Sequence, residues 1–201
     1  MAGAAGTTIA GTTWVPVAPR RVLDTRTSLG GVGHAAGPGA TIHFPVAGTA
    51  GVPATGVTAV AVTLTAVAPT ATGGLVAHPW GSARPAVASL SFTARQNTTT
   101  LVVVRPGTGN HAAVYNSAGT THVVADLIGY YATAGTTTAG TTWVPVAPRR
   151  VLDTRTSLGG VGHAAGPGAT IHFPVAGTAG VPATGVTAVA VTLTAVAPTA
   201  T

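Results

Sequence analysis

Apolar and polar residues alternate with a period of two along much of the chain, the pattern of half-buried strands. Over 57–67, Val60, Val62, Leu64 and Ala66 hold one set of positions, with Thr63 and Thr65 between them. Over 41–46, Ile42, Phe44 and Val46 alternate with Thr41 and His43. Six further runs read as strands: 12–17 led by Trp14, 75–80, 88–92, 100–105, 112–116 and 121–131. Turn-forming Gly, Pro, Asn and Ser separate the later runs at 71–74, 81–85, 106–110 and 116–119. No segment carries a helical period. Close strand spacing and 15 prolines predict an all-β fold, an antiparallel β-sandwich or a jelly-roll-like barrel. A parallel β-solenoid fits less well, given the prolines at strand ends and the irregular stretch 27–40.

The pattern also repeats. Residues 10–72 recur unchanged at 139–201, an offset of 129 residues. The chain therefore reads as one segment (10–72), a single intervening segment (73–131), and a second copy of the first. The expected organisation is an N-terminal linker over 1–9, a complete β repeat unit over 10–131 and a Thr/Ala/Gly linker over 132–140. The first half of a second, identical repeat then occupies 141–201. Cores tolerate many substitutions, so unbroken identity over this length points to a tandem array of like units of about 129 residues. The second copy has no following partner segment in this chain. Its apolar strand is expected to seek another chain, giving association through 139–201.

Composition narrows the function. The chain has no Cys, Lys or Glu, and its only acids are Asp24, Asp126 and Asp153. Without cysteine there is no disulfide framework, zinc knuckle or thiol nucleophile. General acid–base chemistry draws on paired carboxylates or a lysine in one site, which this inventory scarcely supplies. A hydrophobic fraction of 46% supports a packed core and excludes a disordered tail. Nine arginines produce the net charge of +6, yet no basic run exceeds two residues and aromatics are only 4%. That is too few for a base-stacking platform, so nucleic acid is not an expected partner. Attraction to anionic cell-wall polymers suits the charge better. Residues 1–6 lack the charged and apolar regions of a signal peptide, and no apolar stretch is long enough to span a membrane.

Few residue clusters can carry chemistry. Asp24 lies between Arg21 and Arg26, and Asp153 between Arg150 and Arg155. Both arrangements suit a guanidinium–carboxylate pair that holds a strand to the following loop. Asp126 shares a strand face with Val124 and Ile128, so it needs a partner, and an arginine from 10–72 is the natural one. A calcium site at Asp24 and Asp126 is poor cation chemistry among so many arginines. The seven histidines show no HxH or HExxH spacing, and no serine lies in a G-x-S-x-G elbow. No catalytic residue, metal ligand or cofactor is assigned. Trp14, Arg20 and Trp80 are the candidate glycan contacts, since aromatic rings at strand ends can stack on sugars.

The strings PRRVLDTR (19–26), VTAVAVTLTAVAPTATGGLVAHPWG (57–81), RPAVASLSFTARQNTTTLVVV (84–104) and HVVADLIGYY (122–131) occur in a fixed order. In that order and spacing they resemble a tandem β-repeat domain of secreted and cell-surface actinobacterial proteins. The resemblance covers 14–131 and resumes at 143. Thr63 and Ser91 stand where that family commonly has asparagine. The resemblance implies an extracellular or cell-surface setting. The function expected is a non-catalytic structural repeat module that self-associates into a cell-surface assembly or filament. The alternative is a carbohydrate-binding module attaching a secreted protein to cell-wall glycan.

Overall fold

A computed structural model describes residues 12–133, 149–191, 193, 195 and 196. Residues 1–9 and 134–140, expected as linkers, lie outside the described residues. The chain divides into two units, 1–142 and 143–201.

The first unit is an all-β sandwich of eight strands: β1 (Thr12–Asp24), β2 (Thr41–Pro45), β3 (Val57–Val67), β4 (Gly73–Pro79), β5 (Leu90–Phe92), β6 (Thr98–Val104), β7 (His111–Asn116) and β8 (His122–Thr133). They form two four-stranded sheets ordered β1-β8-β3-β6 and β2-β7-β4-β5. Every strand pairing is antiparallel. No α-helix occurs among the described residues.

Alternation explains the packing. Val60, Val62, Leu64 and Ala66 of β3 point inward beside Val123, Ala125 and Leu127 of β8. They face Ile42 and Phe44 of β2, Val114 of β7 and Leu75 of β4 across the core. Thr63 and Thr65 fall on the outer face, where Thr65 Oγ1 lies 2.8 Å from Thr99 Oγ1 of β6. Each fully buried Val or Leu side chain contributes about 1.5–3 kcal/mol through burial.

Apart from the end of β1, every strand boundary falls within two residues of the sequence reading, and two of the differences have a physical reason. The linker expected to begin at 132 begins later, because β8 continues through Ala132 and Thr133. These pair with Thr13 and Thr12, and Ala132 is buried. The small side chains resemble linker composition but keep the inward alternation of Tyr130. Likewise, β1 continues past Pro19 to Asp24, with register shifts between Pro16 and Arg20 and between Arg21 and Leu23. An edge strand tolerates proline through such bulges, because half of its backbone groups need no ladder partner.

The second unit repeats the sequence of β1–β3 without their pairing. No strand occurs among its described residues.

Candidate functional site

Asp24 ends β1, where the chain turns through Ser28 (φ 63°), Gly30 and Gly31. Its backbone N–H donates to Leu29 O at 3.1 Å, closing the turn. Its carboxylate is buried and accepts three N–H groups of Arg26: Nε at 2.9 Å, Nη2 at 2.7 Å and the backbone N–H at 3.0 Å. Arg21 Nη1 adds a fourth contact at 3.2 Å. The side-chain hydrogen bonds from Arg26 hold the Asp24 carboxyl well below the ordinary carboxylate range, against the upward push of burial. Arg21 also donates through Nε to Asp126 Oδ1 at 2.9 Å and through Nη2 to Oδ2 at 3.3 Å. The guanidinium thus bridges β1 and β8, and its bonds to Asp126 raise its pKa.

The second copy builds the same turn. Arg155 Nε and Nη2 reach Asp153 at 2.9 and 2.8 Å, and Arg150 Nη1 reaches it at 2.7 Å. The Arg155 hydrogen bonds again lower the carboxyl pKa.

Polar side chains that the sequence reading did not single out join 10–72 to 73–133. Thr25 is fully buried; its N–H donates to Val123 O at 3.1 Å and its Oγ1 accepts from Val123 N–H at 3.0 Å. Asn116, also fully buried, places Nδ2 within 2.9 Å of Ala36 O, 3.1 Å of Gly37 O and 2.9 Å of Gly119 O. It holds a loop of the first segment against β7. The motif D-T-R carried Thr25 in plain view, but burial of a hydroxyl between two charged residues depends on strand register.

Trp14, Arg20 and Trp80 are not brought together. Trp14 and Arg20 belong to β1. Trp14 packs on the outer face of its sheet against Tyr131 (centroids 5.0 Å apart) and over Gly129, where a Cβ would collide with the indole. Arg20 is exposed and makes no side-chain hydrogen bond among the described residues. Trp80 follows β4 in the other sheet and stacks on His43 at 4.1 Å, with His111 edge-on to His43 at 5.2 Å. Nearby on that sheet's outer face, Arg84 lies 4.0 Å over the Tyr115 ring. His78 is buried, and its Nε2 has no hydrogen-bond partner.

The sheet edges differ sharply in chemistry. β1 is guarded by Pro16, Pro19, Arg20, Arg21 and two irregularities. β2 is five residues long and β5 three. β6, sequence TTTLVVV, pairs only with β3, carries no charge, and exposes Leu101 (57%) and Val103 (54%).

Among the described residues, no three His, Cys, Asp or Glu side chains converge as metal ligands, and no helix is long and apolar enough to cross a membrane. No protein-family model matches the chain, and no curated protein matches it significantly.

Proposed function

We propose that this protein is a non-catalytic, extracellular structural repeat module that self-associates into a cell-surface assembly or filament. The observation that carries the reading is the uncharged, open edge of β6. Edge strands normally carry Lys, Pro or bulges that block pairing with another chain. β1 has these features and β6 has none. Because β6 is the single long unblocked edge of the sandwich, its natural mate is another β6, in an isologous two-fold contact. A lone unit would close as a dimer. Tandem units, each presenting one β6, would zip two arrays side by side. The resemblance to secreted cell-surface repeats and the Thr-rich segment 134–140 support the extracellular setting.

The test is Leu101→Lys with Val103→Lys, both on the exposed face of β6. Sedimentation should show loss of self-association with the melting temperature nearly unchanged, since both side chains are exposed. Association that persists in this variant overturns the reading.

A second reading, attachment to cell-wall glycan, rests on the outer face holding Trp80, His43, Arg84 and Tyr115. Pelleting of the Leu101→Lys/Val103→Lys variant with peptidoglycan, abolished by Trp80→Ala, would favour it.

A further inference from the structure

We infer that residues 81–88 form a flap over a binding site for an acidic sugar, a hydroxyl-bearing ring with a carboxylate or phosphate, on the outer face of the sheet β2-β7-β4-β5. Arg84 holds the anion and His78 accepts a hydroxyl. The inference rests on the glycan reading above and names the ligand class of that face.

The site starts from a buried group left unmet. Ala77 packs against the core, so its neighbour His78 turns to the outer face of β4, where it is nevertheless only 5% exposed. Its Nδ1 lies 3.1 Å from Pro79 O. A carbonyl oxygen only accepts, so Nδ1 carries the proton and Nε2 of the neutral ring presents a lone pair. That Nε2 is the one buried side-chain nitrogen or oxygen without a hydrogen-bond partner among the described residues. It lacks a donor, and a sugar hydroxyl is one.

The segment above His78 is weakly held. Tyr115 faces outward beside the core residue Val114, and Arg84 lies over its ring. Since β4 stands between β5 and β7, the β4–β5 connection reaches across β4 to make that contact. Residues 81–88 are all exposed, and 83–88 make no backbone hydrogen bond among the described residues. Segments of that kind open readily. The flap is tied at its ends, by Ser82 N–H to Pro79 O at 3.2 Å and Ser89 N–H to Leu75 O at 2.8 Å, and in its middle by Arg84.

Charge selects the ligand. The Arg84 guanidinium lies 4.0 Å from the Tyr115 ring centroid and takes part in no ion pair or hydrogen bond among the described residues. Its N–H groups are free for a bidentate contact with a carboxylate or phosphate. The acids of 1–142 are Asp24 and Asp126, on β1 and β8 of the opposite sheet, so no carboxylate of this unit competes for Arg84. Ala113 pairs with both His43 and His78, which places His43 on the same face as His78. The stack of His43 on Trp80, 4.1 Å apart, supplies a flat wall for the C–H face of the sugar.

The experiment titrates the full chain with methyl glucuronide, glucose 6-phosphate and neutral methyl glucoside, followed by calorimetry and by the imidazole nitrogen resonances of His78. The acidic sugars should bind about tenfold or more tighter than the neutral one, the low end for a hydrogen bond to a charged group. They should also move the Nε2 resonance upfield. Arg84 is exposed, so Arg84→Gln keeps the fold and should abolish the difference between the probes. His78→Phe should weaken all three probes, and His78→Gln, which keeps an acceptor near the Nε2 position, should restore binding. The tighter of the two acidic probes identifies carboxylate or phosphate as the anion. Equal binding of all three probes, or an unmoved Nε2 resonance at saturation, overturns the inference. So does Trp80-dependent pelleting with peptidoglycan without binding of either acidic sugar, which leaves the glycan reading standing. Absence of both pelleting and binding removes the two together.

Discussion

Residues 12–67 and 149–196 have the same sequence wherever both are described, yet only the first forms strands. Their turns are nearly superimposable in detail. Asp24 N–H bonds to Leu29 O at 3.1 Å, and Asp153 N–H to Leu158 O at 3.1 Å. Gly48 N–H donates to Val52 O and Gly177 N–H to Val181 O, both at 3.0 Å. Ser28 and Ser157 share a left-handed φ of 63° and 60°. The apolar runs behave oppositely: Leu64 is fully buried and Leu193 is 73% exposed. Turn geometry is thus satisfied within a few residues, by a carboxylate, an arginine and glycines in reach of one another. A strand needs a neighbour for its backbone groups, and that neighbour is 73–133. The bonds present in the first unit and without counterpart in the second include Thr25 N–H to Val123 O, Ala36 N–H to Thr121 O and Val46 N–H to Asn110 O. All three cross into that single segment.

The strongest way to break this contrast is to damage the single segment, because neither copy can compensate. Leu127→Ala, in the core of β8, should destabilise the protein by about 2–5 kcal/mol in thermal or denaturant melts. Leu193→Ala should change the same melt by less than about 0.5 kcal/mol, as exposed positions do. Equal effects would mean that the two regions are ordered alike.

A smaller effect sharpens the part both copies share. Asp24→Asn with Asp153→Asn strips the charged turn from each copy, so neither can stand in for the other. The sandwich should lose about 1–3 kcal/mol, the range for a hydrogen bond to a buried charged group. Asp153→Asn alone should leave the melt unchanged, because its turn is solvent-screened and supports no sheet. A melt unaffected by the double substitution would show that the Asp24 turn forms without contributing to stability.

The smallest effect is on pH dependence. The folded-state pKa of Asp24 lies below the ordinary carboxylate value, so folding favours the ionised form. Its contribution is fully present above that ordinary value, about 4, and is lost as pH falls below it. Melting temperature should therefore be flat from pH 7 to 5 and decline towards pH 3. In the Asp24→Asn/Asp153→Asn variant the decline should be shallower. An identical slope in both proteins would assign acid sensitivity elsewhere than the Asp24 turn.

The strands were legible because burial on one side imposes a period of two, and β3 shows this best. The end of β1 was not, since Pro19 reads as a terminator and only the edge position in the sheet makes it tolerable. The turn at Asp24 could be anticipated from three neighbouring residues. The choice of Arg21, rather than Arg20, as the partner of Asp126 followed from cross-strand register, with Arg21 directly opposite Asp126. The stacking of Trp80 on His43 joins residues far apart in the chain, and no local pattern announces it.

By itself the sequence determined the all-β class, the duplicated segment, the turn chemistry and the absence of cysteine, lysine and glutamate. These depend on residue type and short-range spacing. Only the tertiary structure decided which strands form edges, where β6 lies open, and which buried polar groups join the halves. It also decided that one of two identical sequences becomes a sheet. The reason is that a strand's hydrogen bonds and its buried face are completed by residues distant in sequence, so identical segments with unequal access to those residues reach different structures.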